Sequence, residues 1–351
     1  MTGTAEGGAG PPGLAGPRAE KWVSLALQGG GAHGAFTWGV LDRLIEDGRI
    51  AFEAITGASA GSMNAVVMTD GWMEGGPDGA RSQLAKFWQR VSIDGGCSGE
   101  QRQAMDAILS FWAPVASNPV VDFWRGTLSP AESNPLDINP LREVLDELVD
   151  FARLRTAPVR LFVSATNVRT GKIRIFGTEE LDSDRVMASA CLPTVFRTVE
   201  IDGEPYWDGG YMGNPALYPL FYSAAADDVL LVQINPIERH EVPTSRREIE
   251  NRLTEITFNG GLLRELRVID FVGRLIDENK LSGDRYKRVL MHRIDGGPAI
   301  DRYSAGSRLR AEWDFFRELR DLGREAAEAW LAANYAAIGE RATLDLRGAY
   351  A

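Results

Sequence analysis

Apolar residues along this chain change rhythm in a way that names its elements. Residues 21–28, KWVSLALQ, form a short β-type run that stops at glycines, which predicts a buried strand. The next stretch, AFTWGVLDRLIEDG, sets Phe36, Val40, Leu41, Leu44 and Ile45 at helical spacing, with Gly48 as the C-cap. FEAITGASAGSMNAVVMTDG then reads as a second strand, a tight turn and a second helix ending near Gly71. Strand, loop, helix, strand, turn, helix is the order of a parallel sheet with covering helices.

Between residues 75 and 135 the rhythm breaks. Gly, Pro and Ser interrupt short helical pieces carrying Phe87, Trp88, Phe111, Trp112, Phe123 and Trp124, an irregular aromatic-rich cap or insertion. The pattern returns with PLREVLDELVDFARL (helix), VRLFVSATNVRTGKIRIFG (a hairpin turning at Thr170-Gly171), RVMASACL (helix) and DDVLLVQINPI (a strongly apolar strand). From 244 the chain turns helical, with one further strand at YKRVLMHRI. The helix over 252–276 carries an apolar stripe including Ile256, Leu263, Leu266 and Ile269, a pattern of core packing more than of an interfacial helix. The expected organisation is a disordered tail over 1–20, a main α/β domain over 21–236 and a mainly helical extension over 237–351 packed on it. No repeat or coiled coil occurs, and the sequence sets no oligomeric state.

Composition narrows the function classes. A net charge of -11 lacks the basic footprint of a nucleic-acid binder, so no nucleic-acid partner is expected. The 2 cysteines, Cys97 and Cys191, make no disulfide framework, which fits a reducing, cytoplasmic compartment. With 3 histidines and no CxxC pair there is little material for a zinc site, and no metal or cofactor is expected. The first 20 residues, rich in Gly, Ala and Pro, lack the apolar run of a signal peptide. No stretch approaches the roughly 18 apolar residues of a membrane span. Any contact with a bilayer is then peripheral.

The chemistry turns on LALQGGGAHGAF, residues 25–36. Gly29, Gly31 and Gly34 match the G-x-G-x-x-G of a dinucleotide site, and Glu53 comes at about the right interval. A ribose-binding acid belongs at the end of the second strand, however, and Glu53 stands at its beginning. That strand runs instead into GASAG, residues 57–61, a G-x-S-x-G nucleophile elbow between strand and helix. It exposes the Ser59 hydroxyl at a helix N-terminus, where a developing anion is favoured. On this reading Gly29, Gly30 and Gly31 offer amides to a transition-state oxygen. In the α/β-hydrolase fold several strands precede the elbow, whereas here it ends the second. The histidines that could complete a triad, His240 and His292, sit in no recognisable catalytic context. A carboxylate on an open turn comes later, in YWDGGYMGNPA, as Asp208 with Gly209 and Gly210 behind it.

These three motifs, in this order, resemble the patatin-like phospholipase family over about residues 22–236, together with ASACLPTVF at 188–196. The resemblance implies a three-layer α/β fold with a mostly parallel central sheet covered by helices on both faces. It implies Ser59 as nucleophile and Asp208 as general base of a dyad acting on acyl esters without histidine. The supporting motif residues are His33, Gly34, Gly57, Gly61, Gly209 and Gly210. The family commonly has Arg or Lys where this chain has His33, which would orient the loop or serve as an alternative base. The expected substrate is the acyl ester of a phospholipid or lysophospholipid. Another carboxyl ester, such as a storage polyester or a thioester, is the alternative, as is a catalytically silent protein of the same fold.

Overall fold

The computed structural model of the chain describes residues 11–93, 139–193, 195–239, 241–283, 285–303, 307, 308 and 310–350. Among them, one 8-stranded sheet runs through the molecule. Its strands are β1 (Lys21–Leu27), β2 (Ile50–Gly57), β3 (Arg160–Asn167), β4 (Ile173–Gly177), β5 (Val199–Ile201), β6 (Glu204–Asp208), β7 (Asp228–Gln233) and β8 (Leu290–Asp295). Their spatial order is β5-β6-β3-β2-β1-β7-β8, with β4 paired to β3 off this path. The stretch β3-β2-β1-β7-β8 is parallel throughout, and β4, β5 and β6 join antiparallel at one end.

The helices are α1 (Gly34–Asp47), α2 (Ala60–Arg90), α3 (Pro140–Leu148), α4 (Phe151–Leu154), α5 (Ser183–Ser189), α6 (Tyr218–Ser223), α7 (Arg246–Asp277), α8 (Pro298–Asp301), α9 (Trp313–Asn334) and α10 (Leu346–Tyr350). They cover both faces, and strand alternation sets which residue goes where. Leu25, Leu27, Ile55, Leu230 and Val232 point to one side, into a core shared with Phe36 and Leu41 of α1, Val66 and Phe87 of α2, and Phe315 and Leu319 of α9. Ala26, Ala54, Val229, Leu231 and Met291 point to the other, against Leu217 and Leu220 around α6 and Leu262, Leu266 and Ile269 of α7. A strand buried on both faces reads as a continuous apolar run, which is why DDVLLVQ carries no alternation.

The C-terminal part supplies more than a covering. Its β8 extends the sheet beside β7, from Asp228↔Leu290 to Gln233↔Asp295. Its α9 lies against α1 so closely that a Cβ on Gly39 would overlap the Arg320 carbonyl, and one on Gly323 the Phe36 carbonyl.

Four expectations need correction or limits. The tail expected to be disordered over 1–20 is anchored in its second half: Leu14 is 1% exposed and bridges Phe52 through both backbone bonds, N–H to O at 2.8 and 2.9 Å. The second helix ends about a turn past Gly71, where Gly75 and Gly76 leave helical geometry and the chain folds back, so that Gln83 Nε2 donates to Asp70 Oδ2 at 2.6 Å. Phe87 and Trp88, on the returning half of α2, are core residues. Phe111, Trp112, Phe123 and Trp124 lie outside the described residues. Of the stripe on α7, Leu266 and Ile269 are buried, whereas Ile256 is 53% exposed.

The strand register brings distant motifs together. Val163 of β3 pairs with Gly57 of β2 on one edge and with Phe176 of β4 on the other. Two residues on, Ala165 still pairs with β4, through Arg174, but its other edge now carries Asp208 of β6. Thus β2 and β6 share one edge of β3 in succession, and the end of β6 meets the turn leaving β2.

Candidate active site

The turn leaving β2 is built around close approach. Ser59 caps α2 with φ 52° and ψ -126°, a left-handed conformation that a non-glycine residue holds only where its surroundings enforce it. Those surroundings are visible: its N–H donates to the Ser189 carbonyl at 3.1 Å and to the Ser189 hydroxyl at 3.0 Å. The Ser62 hydroxyl donates to the Ser59 carbonyl at 2.6 Å. A Cβ on Gly61 would overlap the Leu27 carbonyl at the end of β1, and one on Gly57 would come within 2.7 Å of the Ser62 amide. The elbow can therefore form only with glycine at both positions.

The glycine loop meets that elbow directly. A Cβ on Gly29 would stand 2.5 Å from the Ser59 Cβ, and one on Gly34 would stand 2.6 Å from the Ala60 Cβ. Gly31, with φ 58°, opens a 3-10 turn ending at His33 and leading into α1. The Gly29 peptide is fully committed: its N–H donates to Asn214 Oδ1 at 2.6 Å, and its carbonyl accepts from Asn235 Nδ2 at 2.7 Å and Asn214 Nδ2 at 3.2 Å. Gly29 was expected among the amides facing a reacting oxygen, and this bond removes it from that set. The amides of Gly30 and Gly31 have no acceptor among the described residues.

Asp208 ends β6 and is 0% exposed. Its backbone is fixed by N–H donation to the Cys191 carbonyl at 2.8 Å and by the Thr166 hydroxyl on its own carbonyl at 2.9 Å. Gly209 packs against Ser164 and Gly210 against Phe258. Oδ1 accepts the Gly210 N–H at 2.7 Å, while Oδ2 is buried without a full hydrogen bond. Burial pushes the carboxyl pKa up to about 7, opposed by the Gly210 amide and by the Ser59 hydroxyl, which lies close enough to favour the charged form.

A protein-family model described as patatin-like phospholipase matches residues 25–221, from β1 through most of α6. The chain belongs to the patatin-like phospholipase family. A comparison with curated proteins found no match. Among solved structures, the crystal structure of VipD from Legionella pneumophila is similar at 15% identity and a TM-score of 0.39, over 94% of this chain and 72% of that one.

In this patatin-like chain an apolar cavity of about 150 Å³ opens onto Ser59. Met63, Phe87 and Trp88 of α2, Leu192, and Phe316 of α9 are among its walls, so the C-terminal part completes a chamber built mostly by the matched region. His33 is buried. Burial, then the nearby Arg308 and Arg239 charges, lower its pKa to about 3, and its Nε2 bonds the Ser307 hydroxyl at 2.7 Å. His292 lies buried between Asp228 (2.8 Å) and Thr343 (2.9 Å). Asp228 begins β7, so this pair sits at the opposite end of the parallel strands from Ser59. His240 lies outside the described residues. No group of three or more His, Cys, Asp or Glu among the described residues could hold a metal ion.

Sequence reasoning missed the amide side chains that hold the loop. Gln28 accepts through Oε1 from the Ile234 and Asn235 amides, both at 2.9 Å, and donates through Nε2 to the Asn214 carbonyl at 3.2 Å and Asn259 Oδ1 at 3.3 Å. The signal was present. Gln28, Asn214 and Asn235 are carboxamides set at the ends of apolar runs, twice before proline (Asn214 where a run begins), and a polar side chain in such a place needs partners.

Proposed function

We propose that this protein is a serine acyl hydrolase that cleaves fatty-acyl esters of phospholipids or lysophospholipids with a Ser59–Asp208 dyad. Ser59 Oγ attacks the ester carbonyl while its proton passes to Asp208 Oδ2. The carbonyl oxygen, now negative, takes hydrogen bonds from the Gly30 and Gly31 amides, aided by the N-terminus of α2. The alcohol or lysolipid leaves with the proton, forming the acyl-enzyme. Water, deprotonated by Asp208, then releases the fatty acid and restores Ser59. The acyl chain occupies the apolar cavity beside Ser59.

The observation that carries this reading is the state of Asp208. An unpaired carboxylate oxygen, buried next to a strained serine, with its pKa raised to about 7, is matched to proton transfer near neutrality. An ordinary aspartate, with a pKa about 3.9, would be a poor base for a hydroxyl. The two free glycine amides supply the other half of the chemistry, since losing one such donor typically costs about 100- to 1000-fold.

The test is a panel of phospholipid, lysophospholipid, acyl-thioester and polyester substrates, compared between wild type and Ser59→Ala. Wild type is expected to release fatty acid from the glycerophospholipids and the variant to lose about 1000-fold or more. Residual hydrolysis by Ser59→Ala at the wild-type rate would remove the serine from the mechanism.

A further inference from the structure

Two charged residues that the acyl-transfer chemistry does not use line the cavity beside Ser59: Arg310, 45% exposed and paired with Glu312, and Arg308. Arg308, from the segment between α8 and α9, lines it together with Gly31, Ser59 and Met63. Its carbonyl presses on the glycine loop, where a Cβ on Gly31 would overlap it. The side chain is nearly buried, 11% exposed, in a cluster of three arginines around one carboxylate, Glu255.

That cluster is unevenly satisfied. Arg239 holds Glu255 at 2.7 Å and Arg252 holds it at 3.1 Å, and both also donate to backbone carbonyls at Tyr303 and Ile237. Arg308 reaches Glu255 only at 3.7 Å, and its Nε is buried with no hydrogen bond. Burial lowers its pKa to about 10, which leaves the guanidinium charged at neutral pH. A buried, charged donor without an acceptor is unfavourable until something supplies one. Arg308 is also among the residues that line the cavity opening onto Ser59.

We propose that Arg308 is a specificity residue, whose guanidinium receives the phosphate that a phospholipid or lysophospholipid carries beside the scissile ester. Guanidinium and phosphate match in planarity and charge, and such pairs are among the stronger hydrogen-bonded contacts. The assignment rests on Ser59 being the acyl-transfer nucleophile. It adds that the segment after α8, outside the region matched by the family model, selects the substrate by charge.

The test compares kcat/KM for two substrates with the same acyl chain, a lysophospholipid and the monoacylglycerol that lacks the phosphate, on the full chain. Arg308→Gln is expected to lose about 10- to 100-fold on the lysophospholipid and less than about 3-fold on the monoacylglycerol. Its Ser59 should react with a fluorophosphonate at the wild-type rate. Arg308→Lys keeps the charge beside Glu255 and covers a glutamine variant that fails to fold. It should lower the lysophospholipid preference by at least about 3-fold, because lysine cannot donate in the same planar fork. Equal losses on both substrates would assign Arg308 to the shared ester chemistry and overturn the proposal. An unchanged preference in either variant would overturn it too. A wild type that cleaves neither substrate, with Ser59 unreactive, would overturn the hydrolase reading and this assignment with it.

Discussion

Burying Asp208 would give the proposed dyad its base, and it gives the fold a liability. Its pKa rises from 3.8 to about 7 because water is removed from the charged form. A raised carboxyl pKa means that the folded protein binds this proton more tightly than the unfolded chain. Its contribution to stability is full below about pH 4 and is lost as pH climbs through about 7. The difference corresponds to about 4 kcal/mol. Asp208→Asn should therefore abolish ester hydrolysis while gaining stability over wild type between pH 5 and pH 8. Urea unfolding of both proteins across that range measures it: the gap is expected to widen by about 3 kcal/mol from pH 5 to pH 7 and then level off. A gap that stays constant would mean that Asp208 titrates normally. The Gly29 peptide shows the complementary arrangement, since Asn214 and Asn235 take up its polar atoms, whereas the next two amides have no acceptor among the described residues.

Elements bring these residues together by register and by close contact. The sequence announced the elbow and the glycine loop because glycine is tolerated there for steric reasons that act locally. Gly57 and Gly61 each lie against backbone within a few residues of the turn or at the end of the neighbouring strand. Asp208 was legible as a carboxylate on an open turn, but its junction with β2 depends on two strands sharing an edge of β3, which no local pattern encodes. The β5–β6 hairpin did leave a sign, Asp202-Gly203, whose φ values of 53° and 78° suit a two-residue turn. The pairing of α1 with α9 was hidden for a different reason. It depends on Gly39 and Gly323, single glycines inside helices that helical periodicity ignores. Gly323→Ala should drive a methyl into the Phe36 carbonyl and destabilise the protein by about 1–3 kcal/mol. Thermal unfolding checks this, and an unchanged midpoint would show that the two helices have room to separate.

At the scale of the molecule, the region matched by the family and the C-terminal part form one structure. Residues after 236 contribute β8 at the sheet edge, α7 over one face, α9 over α1, and Arg308 and Phe316 to the cavity walls. Truncation at 236 would uncover β7, buried along all 6 of its residues, and leave it as an exposed apolar edge. Such a fragment is expected to be insoluble or aggregated by gel filtration. A soluble, active 1–236 fragment would show that the extension is dispensable. No helix among the described residues is long and apolar enough to cross a membrane.

The most direct measurement is the rate at which Ser59 reacts with a fluorophosphonate as a function of pH. If Asp208 accepts the serine proton, wild type should gain reactivity through an apparent pKa near 7 and then level off. Asp208→Asn should be slow and flat, and His33→Gln should track wild type. A wild-type curve left unchanged by Asp208→Asn, or one abolished by His33→Gln in a folded protein, would contradict the dyad.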